Sequence, residues 1–176
     1  MTIREAEFAA LRQTIAARGT VRIVLAVTVV VVWAMLATMQ GLYSDLPLLA
    51  VIPLTVLVGG FEGVWALHVG VERIGRFIQV RYESSDGASW ETTAMRASPG
   101  LPGSGADPLF TLVFAVATLV NLGVGFVAGP TPVEIILLFG AHAGLLLRIA
   151  RARMVAGRQR GADLEAFKAV HPPTEP

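Results

Sequence analysis

The sequence predicts an all-α integral membrane protein in which four transmembrane helices form two helical hairpins, with both termini in the cytoplasm and short amphipathic cytosolic helices. Of the 176 residues, 54% are hydrophobic and only 15% are charged, and the mean hydropathy is +0.64. Soluble domains carry about 25% charged residues, so this composition argues against one. Crossing a bilayer takes about 20 mostly apolar residues. Four stretches meet this condition, at residues 21–40, 46–69, 109–128 and 131–149.

The positions of the 14 lysines and arginines predict how these helices are oriented. Basic residues occur only before or at the very start of the first stretch, between the second and third, and at the very end of or after the fourth. The two remaining connections, residues 41–47 and 129–130, contain none. Short loops rich in Lys and Arg stay in the cytoplasm. We therefore expect a multi-pass protein of the bacterial inner (plasma) membrane, with both termini and the long central loop inside.

The segment before the first span, residues 1–20, is expected to form an amphipathic cytosolic helix. Thr2 and Glu5 fit a capping box, and Phe8, Leu11 and Ile15 share one helical face. This face is predicted to lie along the membrane surface. The first apolar stretch has no convincing small-x-small cleavage site, so we interpret it as a retained span and not as a signal peptide.

Local signals mark where the other spans begin. Asp45 and Asp107 are each placed to cap a helix that has a proline in its first turn. Thr131 and Glu134 fit a second capping box at the start of the fourth span. The predicted organisation is an N-terminal segment, a first hairpin with a cytosolic extension, a Gly/Pro-rich loop, a second hairpin and a basic tail, at residues 1–20, 21–83, 84–107, 108–150 and 151–176.

Three cytosolic segments are expected to contain further helix. Helical spacing continues over residues 71–82, so the second helix either extends straight into the cytoplasm or bends into the membrane interface. The loop at 84–107 is too rich in glycine and proline for a long regular element, but residues 89–97 fit one short helix with Trp90 on its apolar side. In the tail, residues 163–170 fit another short amphipathic helix, which Pro172 ends.

Small residues at helical spacing predict where the spans pack against one another. Because the surrounding lipid is as apolar as the helices, close backbone contact takes the place of the hydrophobic effect in holding them together. We interpret these residues as helix contacts and not as a groove for a cofactor or substrate. They are Gly59, Gly63, Ala66 and Gly70 on the second helix, Ala117, Asn121, Gly125 and Gly129 on the third, and Gly140 and Gly144 on the fourth.

Ionisable residues in and beside the spans are the main candidates for a polar site, because a charge at the bilayer centre costs about 2.5–3.5 kcal/mol. Glu62, His68, Glu72 and Arg76 lie on one side of the second helix, taking about 100° per residue. Glu72 is spaced to contact both His68 and Arg76 at the membrane boundary. Arg148 lies at the same depth as Glu62, taking about 1.5 Å per residue. We predict an ion pair between these two residues, with a structural role favoured over a working site.

Two histidines, His68 and His142, are candidate cofactor ligands. His142 lies among apolar residues, and we expect a neutral imidazole bonded to Asn121 or to a backbone carbonyl. His68 lies too far from it along the bilayer normal for one haem to join both within one subunit. Glu62, His68 and Glu72 do not have the spacing of di-iron bundles, so they are weak candidates for a metal site. No cofactor is predicted.

The sequence excludes several soluble enzyme classes. It has no phosphate-binding loop, no strand followed by a dinucleotide fingerprint, no zinc-protease motif and no nucleophile elbow. We expect a small polytopic protein that acts as an accessory, scaffold or interaction subunit through its cytosolic loop and basic tail, without enzymatic activity. Two alternatives remain. One is an intramembrane metal-binding protein or enzyme that uses Glu62, His68 and Glu72, with Trp90 and Glu91 covering them; the other is an oligomeric small transporter or proton pathway.

The expected partners are the lipid bilayer and either further copies of the chain or a larger membrane complex. A cationic cluster directly after a span attracts anionic lipid headgroups, and this placement argues against nucleic acid as a ligand. The residues assigned to headgroups are Arg151, Arg153, Arg158 and Arg160.

Overall fold

The computed structural model describes residues 2–83, 92–93 and 108–170, and this part of the chain is almost entirely helical. It contains α1 (Ile3–Tyr43), α2 (Val51–Tyr82), α3 (Pro108–Val127) and α4 (Pro132–Val170). All four helices are long and apolar enough to cross a membrane. This confirms the predicted all-helical fold with four helices that are long and apolar enough to span a membrane.

Helix α1 is a single helix of 41 residues and not a surface helix followed by a span. The predicted capping box starts it, with the Thr2 amide donating to Glu5 Oε2 at 2.7 Å and the Glu5 amide donating to Thr2 Oγ1 at 3.2 Å. The prediction that the first segment lies along the membrane surface is wrong, because Phe8 instead packs against Tyr82 of α2, with ring centroids 5.4 Å apart. A lone Gly19 costs too little to break a helix of this length.

The connection from α1 to α2 differs from the prediction. Asp45 does not cap a helix; Ser44 Oγ instead accepts from the Leu46 amide at 3.1 Å, and a 3₁₀ turn at Pro47–Ala50 leads into α2. The start of that turn has no side-chain cap. Pro47 does stand in its first turn, as expected, where its missing N–H is not needed.

Helix α3 has 20 residues, which at about 1.5 Å per residue corresponds to about 30 Å, the thickness of a hydrocarbon core. It begins at Pro108, as predicted, while Asp107 lies outside the described residues. Gly129 then adopts a φ of +70°, a conformation that L side chains rarely take, so the chain can turn sharply.

Helix α4 starts with the predicted box, in which the Thr131 amide donates to Glu134 Oε2 at 2.8 Å and the Glu134 amide donates to Thr131 Oγ1 at 3.4 Å. It then runs unbroken for 39 residues. The separate short helix predicted at 163–170 is therefore wrong, because these residues are the last turns of α4. Pro172 lies outside the described residues.

Side-chain contacts define the directions in which the helices run. Arg4 near the start of α1 donates to the Arg81 carbonyl near the end of α2 at 3.1 Å, so these two helices run in opposite directions. Phe77 of α2 packs against Phe167 of α4, with ring centroids 5.5 Å apart. Because Arg148 is also bonded to Glu62 earlier in both helices, α2 and α4 run in the same direction.

Three helices continue past the start of α3, at what we call the extended end of the bundle. Arg22 of α1 lies over the Phe110 ring at 4.8 Å and bonds to His68 of α2, which puts these three residues at one level. From that level α1, α2 and α4 continue for about 20–30 Å, counting about 1.5 Å per residue. The opposite end, called the loop end, holds only the short connections at 44–46 and 128–131.

The glycines of α2 pack differently from the predicted stripe. A Cβ on Gly60 would lie 2.9 Å from Val29 Cβ, one on Gly63 would lie 2.9 Å from Leu25, and one on Gly70 would meet Arg18. The prediction is wrong for Gly59 and Ala66, which are exposed. The stripe that contacts α1 is therefore Gly60, Gly63 and Gly70.

The small residues predicted to make helix contacts on α3 and on α4 also differ in their packing. Ala117, Asn121 and Gly125 are buried, and a Cβ on Gly125 would lie 3.2 Å from Ala50 and 3.3 Å from Leu138. A Cβ on Gly140 or Gly144 would meet no atom within 4 Å in the described part of the chain. The prediction of helix contacts is thus confirmed for Ala117, Asn121 and Gly125 of α3. Within one copy of the protein it is wrong for Gly129, which is exposed, and for Gly140 and Gly144 of α4.

We predict that Gly60→Ala destabilises the protein while Gly123→Ala on α3 does not. The added methyl at Gly60 is forced into Val29, and overpacking of this kind costs about 1–3 kcal/mol, whereas a Cβ on Gly123 would meet no atom within 4 Å in the described part of the chain. Thermal unfolding in mild detergent, followed by circular dichroism, measures both. Equal melting temperatures for the two variants would contradict the packing of α1 on α2.

Candidate functional site

The predicted ion pair between α2 and α4 is present. Arg148 Nε lies 2.7 Å from Glu62 Oε1, and Arg148 Nη2 donates to Glu62 Oε2 at 2.8 Å, which is a two-point contact. The Arg148 guanidinium also lies 5.7 Å from the centre of the Phe61 ring. The Arg148 side chain is 37% exposed and the Glu62 side chain is 45% exposed, so the described residues do not enclose the pair.

A second polar contact, at the level of the start of α3, involves a residue that the sequence reasoning missed. Arg22 Nη1 lies 2.9 Å from His68 Nδ1. Because a guanidinium can only donate, His68 Nδ1 accepts this bond. The His68 ring also lies beside Trp65, with centroids 5.7 Å apart. Depth alone could have placed Arg22 level with His68, but the face on which Arg22 lies was not considered.

A third group of charges joins α2 and α4 at the extended end. Arg76 is 5% exposed and donates to Asp163 Oδ2 at 2.7 Å and to Glu72 Oε2 at 3.3 Å. Arg73 Nε lies 3.7 Å from the same Asp163 oxygen. The contact between Glu72 and Arg76 was predicted, whereas Asp163 was read only as the start of a short helix. This group holds α4 against α2 at that end of the bundle.

A small cleft lies between α2 and α4 beside these contacts. It is lined by Trp65, His68, Glu72, Arg76 and Gln159, with Val69 and Ala156, and has a volume of about 10 Å³. A cavity needs about 10–15 Å³ to hold one water molecule. The cleft therefore has space for a single water and not for an organic substrate.

Nearer the loop end, a hydrogen-bond network joins α1, the 3₁₀ turn that precedes α2, α3 and α4. Asn121 of α3 donates to His142 Nε2 at 2.9 Å and to the Ala50 carbonyl at 2.8 Å, and it accepts from Trp33 Nε1 at 3.1 Å. His142 Nδ1 lies 2.7 Å from the Leu138 carbonyl and donates to it. Since one ring nitrogen donates and the other accepts, His142 is neutral here, as the sequence predicted.

Asn121 is the centre of this network and is fully buried, while His142 is 1% exposed. Asn121 and a backbone carbonyl were the two partners predicted for His142, and both contacts are present. Trp33 was missed, although an indole that faces the core of a span needs an acceptor. Both polar atoms of the Asn121 amide and both ring nitrogens of His142 have a hydrogen-bond partner. A buried polar network stabilises a fold only when its members are satisfied in this way.

An apolar groove of about 390 Å³ lies between α1 and α3 on the same side as Trp33. Its walls are small or aliphatic and include Ala37, Gly41 and Val124. Nearby in sequence, Gln40 is 7% exposed, and neither atom of its amide has a hydrogen-bond partner in the described part of the chain. Sequence reasoning did not single out this residue.

The candidate metal site is not assembled. Glu62 is engaged by Arg148 on α4 and His68 by Arg22 on α1, so the two side chains are held by different helices. Among the described residues there is no group of three or more His, Asp or Glu side chains that could hold a metal ion. Trp90 and Glu91, expected to cover such a site, lie outside the described residues.

The predicted loop helix at 89–97 is described only at Thr92 and Thr93, which are helical. Glu83 Oε2 accepts from the Thr92 amide at 2.8 Å and from its hydroxyl at 2.6 Å, and this ties the loop to the end of α2. The other residues of this predicted helix lie outside the described part of the chain.

No protein family, no curated protein and no solved structure matches this chain. The function therefore has to be inferred from the chemistry of the chain itself.

We predict that Asn121→Leu destabilises the protein by about 1–3 kcal/mol, because it leaves Trp33 Nε1 and the Ala50 carbonyl without partners. Thr28→Val is the matched control, since Thr28 is an exposed polar residue in the middle of α1. Thermal unfolding in detergent reports the stability, and Trp fluorescence reports the indole environment. An unchanged melting temperature for Asn121→Leu would show that the network does not hold the helices together.

Proposed function

We propose that the protein is a non-catalytic membrane subunit that positions or binds a partner at its extended end. This proposal rests on the contacts that the polar side chains of the bundle make. The pairs Glu62–Arg148 and Arg22–His68 and the Asn121 network bind helices to one another. Their geometry supports a structural role, because each occupies donors or acceptors that a substrate or a metal would need.

The extended end has the rigidity that a docking platform requires. Arg4 caps the Arg81 carbonyl, Phe8 packs on Tyr82, and Phe77 packs on Phe167 at 5.5 Å. The Arg76–Asp163 bond adds a charged contact between α2 and α4. Three helices held in this way present a defined surface outside the bilayer, to which the loop at 84–107 and the tail are attached.

We infer that the extended end is cytoplasmic and that the helices form two hairpins with both termini inside. Except for Arg148, which lies among the spans, all basic residues of the chain lie around or beyond the level of Arg22 and His68, or in the loop at 84–107. The only charged residues at the loop end are Asp45 in the first connection and Glu134 in the first turn of α4. The positive-inside rule supports this orientation. A bacterial inner membrane is the location we propose on the same basis.

Anionic lipid headgroups are the proposed ligands of the basic residues on α4. Arg151, Arg153 and Arg158 are exposed, and Arg160 is half-buried. They lie around the level at which α3 begins, where the headgroups of the inner leaflet would be. Each such residue near an anionic surface contributes about 1 kcal/mol of attraction. These contacts would fix how deeply the bundle sits and which way the extended end points.

Native mass spectrometry of the full chain from mild detergent tests the proposed function. We predict that one unrelated protein co-purifies in a fixed ratio, that replacing residues 84–107 by a Gly/Ser linker of equal length removes it, and that Arg158→Glu with Lys168→Glu weakens it. Gly123→Ala is the control, because Gly123 faces open space within the spanning part of α3. A chain that carries a stoichiometric metal and no protein partner would contradict the proposal.

A further inference from the structure

One face of the bundle exposes charge where lipid tails are expected. Glu62 lies six residues from His68, which is about 9 Å nearer the loop end than the level of Phe110. The Glu62–Arg148 pair is therefore within the spanning part, yet the two side chains keep 45% and 37% of their exposure. Charged groups at membrane depth almost always face protein or water, because their exposure to hydrocarbon is costly. A single copy of the chain leaves this requirement unmet.

The surface around the pair consists of small residues without neighbours. Gly59 and Ala66 lie within about 60° of Glu62 on α2, and Gly140 and Gly144 within about 80° of Arg148 on α4, at about 100° per residue. All four are exposed. The three glycines among them have no atom within 4 Å of an added Cβ. Together with Glu62 and Arg148 they form what we call the α2/α4 face.

We propose that the α2/α4 face is covered by the α2/α4 face of a second copy of this chain. Charge complementarity selects this occupant. Glu62 and Arg148 are bonded to each other and so lie at one depth, and a two-fold axis along the membrane normal keeps the four charges of two copies at that depth. The axis brings the acid of one copy beside the base of the other, as an isologous interface requires. Four charges then compensate one another out of contact with lipid.

The small residues make this approach possible. A helix of the second copy can come close to α2 and α4 where Gly59, Ala66, Gly140 and Gly144 leave the backbones uncovered, which is how helices associate in lipid. Gly59, Ala66, Gly140 and Gly144, which the sequence predicts to pack helices but which are exposed in one copy, would then do so between copies. This inference does not depend on the partner proposed for the extended end.

Cysteine cross-linking in membranes tests the interface, and the natural chain contains no cysteine. Copies carrying Gly59→Cys mixed with copies carrying Gly144→Cys should give a disulfide-linked dimer of this chain on oxidation. The two-fold axis sets α2 of one copy beside α4 of the other, and these two residues differ in depth by only about 2 Å. Val27→Cys mixed with Gly144→Cys is the control, since Val27 is 59% exposed and lies on α1. Equal dimer formation by both mixtures would overturn the proposal, as would cross-linking of Gly59→Cys to a different protein in place of a second copy.

A second measurement keeps the proposal testable if a cysteine variant does not fold. Dimer affinity in liposomes, measured by energy transfer between labelled copies, should fall about tenfold for Gly144→Leu, because the close helix approach is lost. Gly123→Leu, the matched change at a glycine that faces open space on α3, should leave the affinity unchanged. Glu62→Arg combined with Arg148→Glu should retain dimerisation that Glu62→Arg alone removes. A monomeric wild-type chain or an unaffected Gly144→Leu variant would refute the interface.

Discussion

The cost of exposing a charge to hydrocarbon is the constraint on which the rest of this structure depends. It explains why the basic residues gather at one end of the bundle, leaving Asp45 and Glu134 as the only charges at the other. It also explains why Glu62 and Arg148, which do lie among the spans, are bonded to each other. The same cost makes a half-exposed ion pair a sign of a missing neighbour, because lipid cannot solvate it.

The bundle is stabilised differently in two regions. Nearer the loop end, Asn121 joins four helical segments through neutral hydrogen bonds, which carry no desolvation penalty for charge. At the extended end, guanidinium groups such as those of Arg22 and Arg76 make the corresponding contacts. In the proposed orientation water and headgroups would be near these charges. The proposed partner-positioning subunit would use this end as its platform and the spans as an inert support.

Sequence reasoning succeeded where depth along one helix decides the outcome. Spacing along the chain predicts the four long apolar helices, both capping boxes and the Glu62–Arg148 pair. It also offers Asn121 as one of two partners for His142. Sequence reasoning failed where the outcome depends on which side of a helix the neighbouring helix lies. Gly59 and Gly60 both belong to stripes of small residues at steps of three and four, and only the position of α1 selects Gly60. The helix breaks expected near residues 20 and 150 did not occur, because neighbouring helices support continuous helix there.

Labelling of single cysteines with a membrane-impermeant maleimide tests the central claim most directly, since the natural chain has no cysteine. Asp45→Cys at the loop end should react in intact cells, and Lys168→Cys at the extended end should react only after the membrane is permeabilised. The reverse pattern, or labelling of both positions from outside, would show that the distribution of charge does not determine the orientation of this bundle.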